Sequence, residues 1–153
     1  MVRSWLGEMS FMSDSRKLQF VDTNVLIYAH DGSAGVKHVR ARDLLRDLWQ
    51  SGAGCLSVQV LQEFYVNVTQ KVAKPLTPDL AAHIIADLSV WQVHCPGVDD
   101  VLDAIRLQAR YQISFWDAMI VASAIHLGCG RLWSEDLNPG QVYGAVTVAN
   151  PFE

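Results

Sequence analysis

Several things are scarce in this chain, and each scarcity removes a class of protein. The longest apolar run, AMIVASAIHLG at residues 118–128, falls well short of the roughly 20 residues that span a bilayer. The opening MVRSWLGEMSFMSDSRK has no apolar core of the secretion-signal kind. A cytoplasmic protein with no membrane partner is therefore expected. Cysteine is limited to Cys55, Cys95 and Cys129. An odd count with no C-x-x-C excludes a disulfide framework and a zinc ribbon, and the three read as buried thiols of a reducing compartment. Basic residues are also few: 12 Lys and Arg face 16 Asp and Glu, for a net charge of −4. That argues against coating nucleic acid by charge alone. It leaves a nuclease open, because carboxylates that hold a metal count as negative until the metal arrives. Repeats, low-complexity segments and any Ser–His or Cys–His pairing of the nucleophilic kind are absent as well.

What remains is a chain of 153 residues, half of them apolar and 18% charged. The length fits one domain with a sizeable core. Strand and helix patterns alternate along it. KLQFVD reads as a buried strand and TNVLIYAH as a short helix at its end. VRARDLLRDLWQSG places Leu44, Leu45, Leu48 and Trp49 on one helical face, with Gly52 as the stop. GCLSV is a strand, and Ser57 caps a helix with Leu61, Phe64, Tyr65 and Val68 inward. Thr77 and Pro78 open the next helix as N-cap and first residue, with Ala81, Ile84, Ile85 and Leu88 as its stripe. WQVHC is a strand. Val98, Val101, Ile105 and Ala109 mark a further helix, and Ser114 opens the very apolar FWDAMIVASAIHLG. RLWS and AVTVAN are the last strands. Strands separated by helices imply an α/β fold, a three-layer α/β/α domain with a central, mostly parallel sheet. Residues 1–17 look unlike the rest and stand before a domain over 18–153. Two readings are open for them: a flexible extension, or an over-long start with Met9 or Met12 as initiator.

In such a sheet, ligands sit beyond the carboxyl ends of the strands. Asp43, Asp47, Asp87, Asp99, Asp100 and Asp103 fall on polar helix faces or first turns and read as solvated surface. Four other acids stand in apolar company. Asp22 ends the run LQFV, where it is either an N-cap or a functional group. Glu63 lies between Leu61 and Phe64, at the boundary of a buried helix face. Asp117 fits the third position of a capping box opened by Ser114, yet Ile120, Val121 and Ala124 follow it on the same face. Asp136 follows the strand RLWS in a turn. Each has a bland reading alone; together they converge on one sheet edge. Two unit charges about 5 Å apart repel by roughly 3 kcal/mol at an effective dielectric near 20. Such a set needs a cation or some bound protons. With no Cys or His at ligand spacing, the donors are all oxygen, which favours Mg²⁺ or Mn²⁺ over zinc.

FVDTNVLIYAHD, the helix around Glu63, SFWDAMIVASA, LWSEDLNPGQ and the tail GQVYGAVTVANPF resemble the ordered acidic motifs of PIN-domain ribonucleases, most closely the VapC-type toxins of bacterial toxin–antitoxin pairs. The resemblance runs from Leu18 to Phe152. It assigns Asp22, Glu63, Asp117 and Asp136 as the catalytic, metal-holding acids. Asp136 rather than Glu135 fits the T/S-x-D pattern, here Ser134-Glu135-Asp136. Thr23, Asn24 and Ser134 become supporting polar neighbours. The resemblance further implies Mg²⁺-dependent hydrolysis of RNA to 5′-phosphate and 3′-hydroxyl ends, a cognate VapB-type antitoxin and a homodimer. The segment before Leu18 departs from the family pattern.

RNA approaching an acidic site needs basic groups around it. Lys37, Arg40, Arg42, Arg46, Lys71 and Lys74 are available, but a solvated helix face explains them equally well. Trp116 and Trp133 are read as core packing ahead of base stacking, and His30 as a surface or satisfied histidine ahead of a substrate contact. Two rivals stand. A haloacid-dehalogenase-like phosphotransferase needs a second Asp where Asn24 stands, and a phosphoacceptor domain needs acids before its nucleophile and a late lysine. Neither pattern is present. The other rival is a catalytically silent PIN fold that binds RNA or a partner.

Overall fold

Short apolar runs that end on a capping residue set the frame. The computed structural model describes residues 17–153. The proposed extension and its alternative starts at Met9 and Met12 lie outside the described residues, apart from Lys17. The strands are β1 (Gln19–Val21), β2 (Gly54–Ser57), β3 (Gln92–His94), β4 (Arg131–Trp133), β5 (Val142–Tyr143) and β6 (Val146–Ala149). The helices are α1 (Thr23–Ala29), α2 (Val36–Ser51), α3 (Val58–Gln70), α4 (Pro78–Leu88), α5 (Val98–Tyr111) and α6 (Phe115–His126). Side chains of Asp22, Ser57, Thr77 and Ser114 cap α1, α3, α4 and α6 by accepting from backbone N–H groups. Each satisfies a donor the helix itself leaves free. Gly52 closes α2 in the left-handed conformation, φ 71°, which glycine adopts without a Cβ penalty.

The strand order is β3-β2-β1-β4-β6-β5. All pairings are parallel except the short β5–β6 pair, so the expected α/β fold with a mostly parallel sheet is present. The two-residue β5 is an addition to the predicted elements. From β1 the chain steps outward through β2 to β3, then returns past β1 to β4. Right-handed crossovers in opposite directions send α1–α4 over one face and α5–α6 over the other. Packing agrees: α1 meets α2 and α3, α3 meets α4, and α5 lies on α6, which in turn touches β2, β4 and β6. The core is led by Phe20, Val25, Leu26, Leu56, Phe64, Ile120 and Leu132, all essentially inaccessible. In α6, every residue from Ala118 to Ala124 is buried, as an all-round apolar helix requires.

Two expectations about helix faces fail. On α5, Val98, Val101 and Ile105 are exposed, while Asp100 and Ala104 are buried. The helix packs through its Ala104–Leu107 side onto α6, so the small residue rather than the branched ones makes the close approach. Asp100 is therefore not solvated surface: its carboxylate turns back to accept from the Gly97 N–H at 2.7 Å. On α2, Trp49 is 46% exposed and leans on Trp91 at a ring separation of 5.7 Å.

Candidate active site

The point where the chain leaves β1 in one direction and β4 in the other is a topological switch point, a crevice outside adjacent strand ends. Asp22 follows β1 and Asp136 follows β4, so the two acids flank it. Register fixes the approach: the Asp22 N–H donates to the Trp133 carbonyl at 2.9 Å. Asp22 is only 5% exposed. One carboxylate oxygen accepts from the Thr23 N–H and the other from the Ser134 hydroxyl, both at 2.7 Å. Ser134 Oγ in turn accepts from the N–H groups of Asp136 and Leu137 at 3.1 and 3.4 Å. One buried hydroxyl thus shapes the turn that carries Asp136 and orients Asp22.

The other acids are tied in by neutral side chains. Thr23 Oγ1 donates to Glu63 Oε2 at 2.7 Å. Asn24 Nδ2 donates to Asp136 Oδ2 at 3.0 Å, and its Oδ1 accepts from the Glu135 N–H at 3.3 Å. Asp117 sits in the first turn of α6. Its N–H donates to Ser114 Oγ at 3.1 Å, the cap half of a capping box, without the reciprocal half. The predicted acids Asp22, Glu63, Asp117 and Asp136 and the neighbours Thr23, Asn24 and Ser134 are thus gathered at one edge.

Their charges feel one another. Burial pushes the Asp22 carboxyl up to about 7; the Ser134 and Thr23 hydrogen bonds pull it down, and the charges of Asp136 and Asp117 push it further up. Burial also raises Asp117, eased by Ser114 and reinforced by Asp136 and Glu63. Asp22 is therefore poised to exchange a proton for a cation near neutral pH. The donors are all oxygen, which suits Mg²⁺ or Mn²⁺. Among the described residues, no three of these carboxylates bring oxygens within 4.8 Å of one another. As placed, at most two of them can touch one ion directly, and the others would reach it through water. Asp22, Glu63, Asp117 and Asp136 are the residues able to hold one.

Sequence reasoning missed Gln59 and offered Lys37 only as one of six basic residues around the site. Gln59 Nε2 donates to Glu63 Oε1 at 2.9 Å and to the Trp116 carbonyl at 3.3 Å, bridging α3 to the start of α6. Its position four residues before Glu63 was the available signal. Lys37 pairs with Glu135 beside the Tyr28 and Phe152 rings, and so pins the Asp136 turn from α2. Trp116 departs from the core reading: it is 62% exposed and adjoins Asp117. Trp133 is half-buried on β4, its Nε1 donating to Gln19 Oε1 at 2.7 Å. His30 is satisfied: its Nδ1–H donates to the Leu26 carbonyl at 3.0 Å, and its ring stands edge-on to Phe64. Arg42 and Arg46 line a different cleft, of about 430 Å³, with His30, Leu45, Trp49 and Ile84.

The PIN domain family profile matches residues 20–144. The chain belongs to the PIN domain family. Comparison with curated protein sequences gave no significant match. Among solved structures, this PIN domain is similar to a toxin–antitoxin complex from Klebsiella pneumoniae, at TM-score 0.64 and 20% identity over 88% of this chain and 98% of that one. It is similar to VapC20 of Mycobacterium tuberculosis, described as a sarcin–ricin loop cleaving toxin, at TM-score 0.59 and 22% identity over 74% and 86%. It is also similar to DNA-bound VapBC from Salmonella typhimurium, at TM-score 0.62 and 14% identity over 88% and 98%. At these identities the likeness is one of fold. Among the described residues, no helix of the PIN domain is long and apolar enough to cross a membrane.

Proposed function

We propose that this PIN domain, spanning residues 18–153, is a metal-dependent endoribonuclease and the toxin of a VapBC-type pair. The observation that carries the reading is the acidic edge at the β1–β4 switch point, centred on a buried Asp22 that burial and neighbouring charge hold near neutrality. Asp22, Glu63, Asp117 and Asp136 would hold Mg²⁺, with Mn²⁺ as a substitute. When bound, the ion supplies a more acidic water and stabilises charge on the phosphate.

The remaining roles belong to the chain itself. Ser134 and Thr23 hold the Asp22 carboxylate in one orientation, and Thr23 and Gln59 do the same for Glu63. Such neighbours commonly matter 10- to 100-fold, roughly, in metal affinity or activity. Asn24 fixes Asp136. Trp116, exposed next to Asp117, offers a face on which an unpaired base can stack. Lys37 contributes positive charge at the margin of the acids, although Glu135 engages it first.

The structural likeness to toxin–antitoxin complexes supports a VapB-type antitoxin as partner. The cleft lined by Leu45, Trp49, Ile84 and Leu88, with Arg42 and Arg46 at its margin, suits an apolar segment carrying acidic residues. Association into a homodimer belongs to the same reading.

The test is incubation of the chain, freed of any partner, with total RNA and Mg²⁺, followed by end mapping. EDTA and the Asp22→Asn and Asp117→Asn variants run in parallel. Discrete cuts leaving 5′-phosphate and 3′-hydroxyl ends, lost in EDTA and in both variants, are expected. Mg²⁺ binding without cleavage of any RNA would favour the silent RNA- or partner-binding PIN fold instead.

A further inference from the structure

A second cluster of titratable groups lies apart from the acidic edge and plays no part in the proposed reaction. His94 closes β3, Asp100 is the third residue of α5, and His126 is the last of α6. His126 stands nine residues beyond Asp117, roughly 13 Å further along the same helix. His94 Nε2 is 3.4 Å from Asp100 Oδ2, and His126 Nδ1 is 3.5 Å from Asp100 Oδ1. One ligand atom from each residue falls within 4.8 Å of the other two.

We propose that His94, Asp100 and His126 form a site for a divalent transition-metal ion of the zinc class. Two imidazoles and a carboxylate are a common protein set for such an ion, with a fourth position left to water. Donor atoms about 2.0–2.1 Å from a tetrahedral ion are about 3.3–3.4 Å apart; each histidine stands near that distance from one oxygen of the Asp100 carboxylate, His94 from Oδ2 and His126 from Oδ1. Both separations are long for N–H···O hydrogen bonds, so the three groups are gathered without bonding one another well.

Two further features fit. His94 Nδ1 meets the hydroxyl of fully buried Ser123 at 2.9 Å, which holds the ring with Nε2 toward Asp100. A hydrogen bond to the second ring nitrogen is the usual support of a metal-binding histidine. Asp100 is held by the Gly97 N–H, leaving Oδ1 on the His126 side. Burial also keeps His94 in its neutral form to lower pH than usual, the form that ligates. One adjustment is needed. The two imidazoles are stacked, 4.1 Å apart and 21° from parallel, so their lone pairs point along nearly parallel planes. His126 must tilt toward the ion, and it has room to do so: its side chain is 57% exposed at a helix end. An ion there joins β3, α5 and α6 at one point.

The probe is Zn²⁺ alone, titrated calorimetrically into the full chain carrying Asp22→Asn and Asp117→Asn, so that the acidic edge is weakened as a competitor. Co²⁺ serves as the spectroscopic substitute. One Zn²⁺ per chain with micromolar Kd, a raised Tm and Co²⁺ d–d bands is expected. Adding His126→Ala, a change at an exposed side chain, should weaken Zn²⁺ binding about 10-fold or more and abolish the Co²⁺ bands while leaving the metal-free Tm in place. His94→Asn should do the same to binding. Absence of Zn²⁺ binding below millimolar concentration, or Zn²⁺ affinity unchanged by His126→Ala, would overturn the site and leave Asp100 as a helix cap beside two stacked histidines.

Discussion

Ser134 donates its hydroxyl to Asp22 at 2.7 Å across 112 residues of chain, while its oxygen accepts from the Asp136 N–H. Ser134→Ala removes a bond that lowers the Asp22 carboxyl. The Asp22 value should then rise further, and the pH midpoint for Mg²⁺ binding should move up with it. Mg²⁺ affinity at pH 7 should fall about 10- to 100-fold. Stability should drop by about 1–3 kcal/mol, because buried N–H groups lose their acceptor. Calorimetric Mg²⁺ titration at several pH values, with thermal melts alongside, checks both effects.

Asp22 itself gives a pH dependence of stability in the metal-free chain. Its folded value of about 7 lies above the ordinary 3.8, so the folded chain binds this proton more tightly than the unfolded one. The stabilisation is fully present below pH 3.8, declines as pH rises, and is lost above about pH 7. At about 1.4 kcal/mol per pKa unit, the cost at pH 8 is of the order of a few kcal/mol. Metal-free Asp22→Asn should therefore melt above wild type at pH 8, with the advantage shrinking toward pH 5. Saturating Mg²⁺ should reverse the order at pH 8. Melts in EDTA and in Mg²⁺ at the two pH values are the measurement.

Trp116 gives a prediction that separates binding from turnover. Trp116→Ala should raise KM for a single-stranded RNA substrate several-fold, in keeping with roughly 1–3 kcal/mol for a stacked base. It should leave kcat nearly unchanged and Tm within a degree or two, because the ring is mostly exposed. A fall in kcat with KM constant would mean that Trp116 acts by holding α6 and Asp117.

Thiol chemistry should divide the cysteines. Cys55 and Cys129 are buried as expected, but Cys95, also expected inside, is exposed because it lies just past the end of β3. Under native conditions, one thiol per chain should react rapidly with a disulfide reagent, and Cys95→Ser should abolish that phase. All three should react once the chain is unfolded.

Much of the fold could be read from the sequence because its signals are local. Strands end on Asp22 and Ser57, helices open on Ser57, Thr77 and Ser114, and Gly52 stops α2; each announces itself within a few residues. The faces of α5 could not be read so. Val98, Val101 and Ile105 mark a helix but not its buried side, which depends on where α6 lies; Ala104 makes that contact. The same dependence hid Asp100, whose position in a first turn suggested solvent. At the acidic edge, strand endings placed Asp22 and Asp136 correctly at the carboxyl side. Their adjacency follows from β1 pairing with β4, a long-range fact no spacing encodes. Lys37 stood only as one of several basic residues for that reason, since its partner Glu135 is far off in sequence, whereas Gln59 was overlooked although Glu63 is only four residues on.

The pairing of β1 with β4 has a consequence in time as well as space. Asp22 is made before β4, Ser134 and Asp136, with Ser134 following 112 residues later. Contacts of such long sequence separation form late, and none can form before both partners exist. A chain still being translated carries its first acid with no neighbouring β4, no hydroxyl and no opposing aspartate. The acidic edge is therefore complete only after β4 and the turn carrying Asp136 have been made, however early the segment around Asp22 takes its shape.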